Sequence, residues 1–136
     1  MNEIESMMAA YAQEAVESGK KFNKQLDFSE RSIQQVEDIC SQLYNDIPKG
    51  FLNQIFKRSP SEDELIRMSN MWGGYIGQVM INNFGGSWVT ENNTIVLKIG
   101  ELKMFPTIKV YKRLKNGPED NIYHYYQLIS REISKG

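Results

Sequence analysis

The sequence predicts an α+β fold: helices packed around a long central helix (about 61–84), a small antiparallel β-hairpin or sheet (about 87–105), and C-terminal helices. Three observations carry this. Between Ser61 and Phe84 apolar residues recur at helical spacing; around Asn92-Asn93 two runs alternate as strands do; and from Pro106 onward the punctuation is that of helices. At 136 residues the chain reads as one domain, 1–136, large enough to bury a core without disulfides or metals.

Residues 3 to 22 place Ile4, Met7, Met8, Tyr11, Ala15 and Phe22 on one side, with Glu14, Glu17 and Lys21 off it, and this first helix ends near Gly19 or Asn23. Leu26-Asp27-Phe28-Ser29 leads into a second helix, with Ser29 as N-cap, Glu30 in the first turn, and Ile33, Val36, Cys40, Leu43, Tyr44 and Ile47 as its buried stripe. Pro48 and Gly50 stop it. The apolar run Phe51, Leu52, Ile55 and Phe56 follows, either a short helix roofing the core or an exposed contact patch or movable lid.

The central helix carries Leu65, Met68, Trp72, Tyr75, Ile76 and Val79 on one side. Its start has two candidate capping boxes, Ser59 with Glu62 and Ser61 with Glu64, and Pro60 suits a first helical position. Gly85-Gly86 end it. A second side holds Gly73, Gly74 and Gly77. Each costs a helix roughly 1 kcal/mol relative to alanine, so the side should receive either a closely packed backbone or a ligand. The glycines lack the Lys-Ser/Thr of a P-loop.

Asn92 and Asn93 tolerate the positive φ of a two-residue hairpin turn. Counting back pairs Glu91 with Thr94, Thr90 with Ile95 and Trp88 with Leu97, putting Trp88 and Leu97 toward the helices and Ser87 and Lys98 outward. Gly100 ends the second strand, and Leu102 to Phe105 can add a third. In 106–116, Ile108 and Val110 alternate as in a strand, whereas Pro106, the late basic residues and Asn116-Gly117 are helix punctuation. Helix is the expectation, burying Val110, Tyr111 and Leu114, with strand as the competing reading. A last helix opens at Pro118-Glu119-Asp120 and buries Ile122, Tyr125, Tyr126, Ile129 and Ile133.

Taken as a set, Leu26-Asp27-Phe28-Ser29, the run Met71-Trp72-Gly73-Gly74-Tyr75-Ile76-Gly77-Gln78-Val79, Gly85-Gly86-Ser87-Trp88, Phe105-Pro106, Lys109-Val110, Lys112-Arg113-Leu114 and Asn116-Gly117-Pro118-Glu119-Asp120 resemble a family of uncharacterised bacterial α+β domains. The resemblance covers most of the chain from residue 20. It implies a small bacterial cytoplasmic domain and supplies no reaction. The connection from Pro48 to Ser59 is longer than is usual in that family.

Sixteen basic against seventeen acidic residues argue against a general nucleic-acid binder. No apolar run approaches the roughly 18 residues of a membrane span, and the acidic N-terminus reads as unprocessed rather than as a signal. A cytoplasmic location is expected. Catalytic signatures are missing from the sequence: His124 is the only histidine, Cys40 lies on a buried stripe, and Glu62-Asp63-Glu64 suits a helix N-terminus, so no catalytic residue, metal site or cofactor is expected.

The strongest local asymmetry is Lys98, Lys103, Lys109, Lys112, Arg113 and Lys115 against Glu101 alone. On a helix, Lys109, Lys112 and Arg113 are neighbours that can hold an anion or a partner, unless Arg113 or Lys112 pairs with Glu119 or Asp120. The expected function is a non-enzymatic protein-interaction module, regulatory or immunity-like, using this segment, Phe51 and Phe56, or both, toward another protein or a second copy of the chain. The alternative is a small-anion-binding protein or enzyme with a pocket between the glycine side and Lys109/Arg113. RNA binding through the basic residues with Phe105 and Tyr111 ranks third.

Overall fold

The computed structural model describes residues 2–46 and 60–135. Within them five α-helices and a three-stranded antiparallel sheet make an α+β fold. The helices are α1 (Glu3–Lys20), α2 (Ser32–Asp46), α3 (Glu62–Phe84), α4 (Pro106–Asn116) and α5 (Ile122–Lys135), and the strands are β1 (Ser87–Glu91), β2 (Thr94–Ile99) and β3 (Leu102–Met104), in the order β1-β2-β3.

Helix α3 is the centre because it packs on both sides. α1 lies along one flank and α4 along another, while α2 and α5 pack on each other and α2 packs on α4. The capping box at its start is Ser61 with Glu64: the Glu64 N–H donates to Ser61 Oγ at 3.1 Å and the Ser61 N–H to Glu64 Oε1 at 3.0 Å. Pro60 therefore precedes the cap instead of occupying the first helical position. Leu65, Trp72, Tyr75, Ile76 and Val79 are buried as expected, and Met68 is half-buried.

The glycine side is filled by protein. A Cβ at Gly73 would stand 2.6 Å from Thr107 Cα in α4, one at Gly74 3.2 Å from the Met8 carbonyl oxygen in α1, and one at Gly77 2.1 Å from the ring of Trp88. Three missing side chains thus let two helix backbones and an indole reach α3. Tyr75 spans to the other side of the core, where its hydroxyl lies 2.6 Å from Ser32 Oγ and accepts the Phe28 N–H at 2.8 Å.

The hairpin has the expected register, with Glu91 opposite Thr94 and Trp88 opposite Leu97, and Asn92 and Asn93 take φ of 51° and 62°. Trp88 and Leu97 are buried. Val96, on the other face, is buried too. β3 pairs with β2, Ile99 opposite Leu102, after a turn through Gly100.

Residues 106–116 are helical, with Pro106 in the first turn and Val110 and Leu114 buried; Tyr111 is only half-buried. Five further expectations shift. Leu43 and Tyr44 of α2, expected to be buried, are half-buried. Met7 is exposed and Ala12 buried instead, because α1 turns its small residues to α3. Helix α2 begins three residues after Ser29, whose hydroxyl accepts the Ser32 N–H at 3.2 Å across a tight entry turn. Pro118–Asp120 is a separate 3-10 turn, and α5 starts at Ile122, where Asn121 Oδ1 accepts the His124 N–H at 2.8 Å and Glu37 Oε1 accepts the Ile122 N–H at 2.9 Å. Tyr125, Ile129 and Ile133 of α5 are half-buried rather than buried, while Ile122 and Tyr126 are buried. Ile47, Pro48 and Gly50 lie outside the described residues.

Candidate functional site

The basic run from Lys98 to Lys115 does not form one surface, because a helix distributes it around its axis. Arg113 points inward and is 1% exposed. Its Nε donates to both Glu37 oxygens at 3.1 and 3.0 Å, and Nη2 donates to Glu37 Oε2 at 2.8 Å and to Ser41 Oγ at 2.5 Å. The Tyr44 ring lies 5.8 Å from the guanidinium carbon. Arg113 therefore ties α4 to α2, and through Glu37 to the first residue of α5. It is separated from Lys109 and Lys112 as a potential contact for a ligand.

Lys109 pairs with Asp120 across the turn, Nζ to Oδ1 at 3.2 Å, and stands 5.5 Å from the centre of the Tyr125 ring. Asn116 donates to the other Asp120 oxygen at 3.1 Å. Burial works to raise the Asp120 pKa, but the hydrogen bonds from Asn116 and Lys109 and the charges of Lys109 and Lys112 outweigh it and hold the carboxyl below its usual range. Lys103 reaches Glu91 at 2.9 Å and Lys115 lies 3.9 Å from Glu62, both at exposed positions. Among the described residues no acidic group lies within ion-pair distance of Lys112.

The open space beside Lys109 lies away from the glycine side. It is a cleft of about 520 Å³ between β3, α4 and α5, lined by Lys103, Met104, Phe105, Ile108, Lys109, Lys112, Asp120, Tyr125 and Ile129. Its wall is apolar, its rim carries three lysines against one aspartate, and Phe105 and Ile108 stand 40% and 39% exposed on it. Tyr125 forms part of the inner wall; burial pushes its phenol up to about 12 against a smaller opposing effect of the Phe105 backbone.

Lys109 and Lys112 thus belong to the cleft and Arg113 to the core. Phe51 and Phe56, the other expected contacts, lie outside the described residues. Lys103, Phe105, Ile108, Tyr125 and Ile129 join the site from three elements. Ile108 gave a signal, since it falls off the Val110–Leu114 stripe of an otherwise regular amphipathic helix.

Other reactive groups are placed for structure. Cys40 is fully buried, and burial followed by the nearby Glu37 charge raises its thiol pKa far from a thiolate's range. His124 is exposed on α5. Among the described residues no group of acidic, histidine or cysteine side chains is arranged to hold a metal, and no helix is long and apolar enough to cross a membrane. Comparison of the chain with models of protein families, with curated proteins and with solved structures gave no match.

Proposed function

We propose that this chain is a non-catalytic protein-interaction module and that the cleft between β3, α4 and α5 takes a partner segment carrying both carboxylates and apolar side chains. One observation supports this most: Phe105 and Ile108 are exposed side by side on a cleft whose rim bears Lys103, Lys109 and Lys112. Exposed aromatic and aliphatic anchors bordered by a net-basic rim, three lysines against Asp120, suit a contact surface, the apolar groups providing affinity and the lysines steering and register. A regulatory or immunity-like partner role accords with such a surface, and the resemblance adds only the expectation of a bacterial cytoplasmic domain.

The chemistry inside the cleft favours binding over turnover. A general acid or base works best with a pKa near the operating pH. Asp120 is held low by its neighbours, and Tyr125 is raised to about 12. The cleft's size also suits a small anion with an apolar part, which is the competing occupant.

Fluorescence anisotropy with a pool of acidic, leucine-containing peptides, and a matched pool with lysine at the acidic positions, tests the proposal. The acidic pool should bind wild type and lose at least about tenfold in affinity to Phe105→Ala/Ile108→Ala. Lys103→Glu/Lys112→Glu should reverse the preference between pools. Equal binding of both pools, or no binding, would remove the reading. A thermal shift with anionic metabolites and none with peptides would transfer the site to the small-ligand alternative.

A further inference from the structure

The cleft does not end at Ile108. Ile108 also lines a smaller groove of about 160 Å³ between α3 and α4, together with Ile66, Ser69, Asn70, Thr107 and Tyr111. Of the six large apolar side chains exposed among the described residues, Ile66, Phe105 and Ile108 lie on these two adjoining depressions. Scattered exposed apolar residues are ordinary, whereas a contiguous strip marks a contact surface.

The strip exists because α3 and α4 approach so closely. With no side chain at Gly73, Thr107 reaches the α3 backbone, and the turn of α3 that bears Ile66 comes level with Ile108. The Ser69 hydroxyl is used internally, donating to the Leu65 carbonyl at 2.7 Å. No charged residue lines this groove.

We infer that a single partner segment crosses α4, occupying both depressions with Ile108 at its middle and Ile66 at its far end. This rests on the proposed interaction role and adds a direction to it. At the cleft end the rim holds Lys103, Lys109 and Lys112. Past the groove stands Glu62, one turn before Ile66 on the same helix face, accepting the Tyr111 hydroxyl in a short hydrogen bond. Asp63 and Glu64 belong to the same first turn. A segment with carboxylates at one end and uncharged residues at the other sets those carboxylates against the lysine rim, whereas the reversed segment sets them beside Glu62, whose charge Lys115 already balances at 3.9 Å. The occupant is therefore a partner segment with an apolar stripe along its length and its acidic residues confined to one end.

The deciding probe is a peptide of that pattern, drawn from the acidic leucine-containing pool and at least about 12 residues long, enough to cross the helix in either extended or helical form. Its affinity is measured for wild type, Ile66→Asp, Ile66→Ala and, as an equally exposed control on α1, Met7→Asp. Ile66→Asp should weaken binding about tenfold or more, Ile66→Ala by less, and Met7→Asp not at all. Circular dichroism confirms that each variant is folded, and Ile66→Ala decides if Ile66→Asp is not. Unchanged affinity in both Ile66 variants, with Phe105→Ala/Ile108→Ala still defective, overturns the extension and leaves the interaction role standing. Absence of binding by wild type overturns both.

Discussion

Arg113 sits in the most basic run of the chain, yet its guanidinium is spent on Glu37 and Ser41, both contributed by α2. Two charged groups this deeply enclosed are tolerable only as a pair, so removing one leaves the other without compensation. Arg113→Met should cost about 3–5 kcal/mol in urea unfolding. The double variant Glu37→Met/Arg113→Met should recover part of that loss but not all, because the Ile122 N–H and Ser41 also lose their partner. Single variants near wild-type stability would show that the pair is solvated. Lys112, one residue earlier, is exposed, and Lys112→Ala should leave unfolding within about 0.5 kcal/mol. Nothing local in the sequence separates these neighbours; the stripe Val110 and Leu114 flanks Arg113 on the helix, and only Glu37, far off in the chain, makes its inward position bearable.

At the scale of elements, α3 shows how a helix weakened by three glycines becomes the centre of a fold. Alanine at any of the three recovers roughly 1 kcal/mol of helix propensity, but the surroundings differ. At Gly77 the new methyl would stand 2.1 Å from Trp88 and at Gly73 2.6 Å from the α4 backbone, while at Gly74 the nearest atoms are at 3.1 and 3.2 Å. Gly73→Ala and Gly77→Ala should therefore lower stability by about 1–3 kcal/mol, the range for overpacking, and Gly74→Ala should fall close to neutral. Thermal unfolding of the three variants checks this ordering. The same contacts answer what the sequence left open, whether a backbone or a ligand covers the glycine side: α1, α4 and an indole do. Hairpin register was legible because it is set locally by Asn92-Asn93; for 106–116 Pro106 with Asn116-Gly117 favoured helix, but the Ile108–Val110 alternation kept strand open until packing on α3 decided it. The separate turn at Pro118–Asp120 was not, since it depends on Gly117, at φ 94°, seating against Tyr44 of α2.

For the whole molecule, the enclosed phenols of Tyr75, Tyr125 and Tyr126 tie stability to alkaline pH. Burial raises Tyr125 from 10.0 to about 12; burial and then a hydrogen bond to Glu30 raise Tyr126; and burial raises Tyr75 against the opposing hydrogen bonds from Ser32 and Phe28. A folded-state pKa above the unfolded one means that the folded chain keeps a proton the unfolded chain releases. The stability these groups contribute is complete below pH 10 and declines as pH rises from 10 toward 12 and beyond. Urea unfolding across that window should show the decline, and Tyr125→Phe should make it shallower, with Tyr75 and Tyr126 still contributing. A profile level from pH 10 to 12 would contradict burial of these phenols. Asp120 acts at the other end: its lowered pKa gives stability above about 3.8 that is lost as pH falls through its folded value, a small effect at a partly exposed pair.

The sequence by itself determined the hairpin with its register, the identity of the chain's centre and the helices other than 106–116, because these follow from periodicity, caps and turn residues, whose effects act within a few positions. Only the tertiary structure decided which side of each element meets which neighbour. That choice sends Arg113 inward to Glu37, fills the glycine side with protein, and gathers Lys103, Phe105, Ile108 and Tyr125 from β3, α4 and α5 onto one cleft. The physical reason is that charge and exposure are properties of a folded surface: a run of lysines along the chain becomes a site only when helices bring apolar groups from distant segments beside it, and that assembly is set by packing.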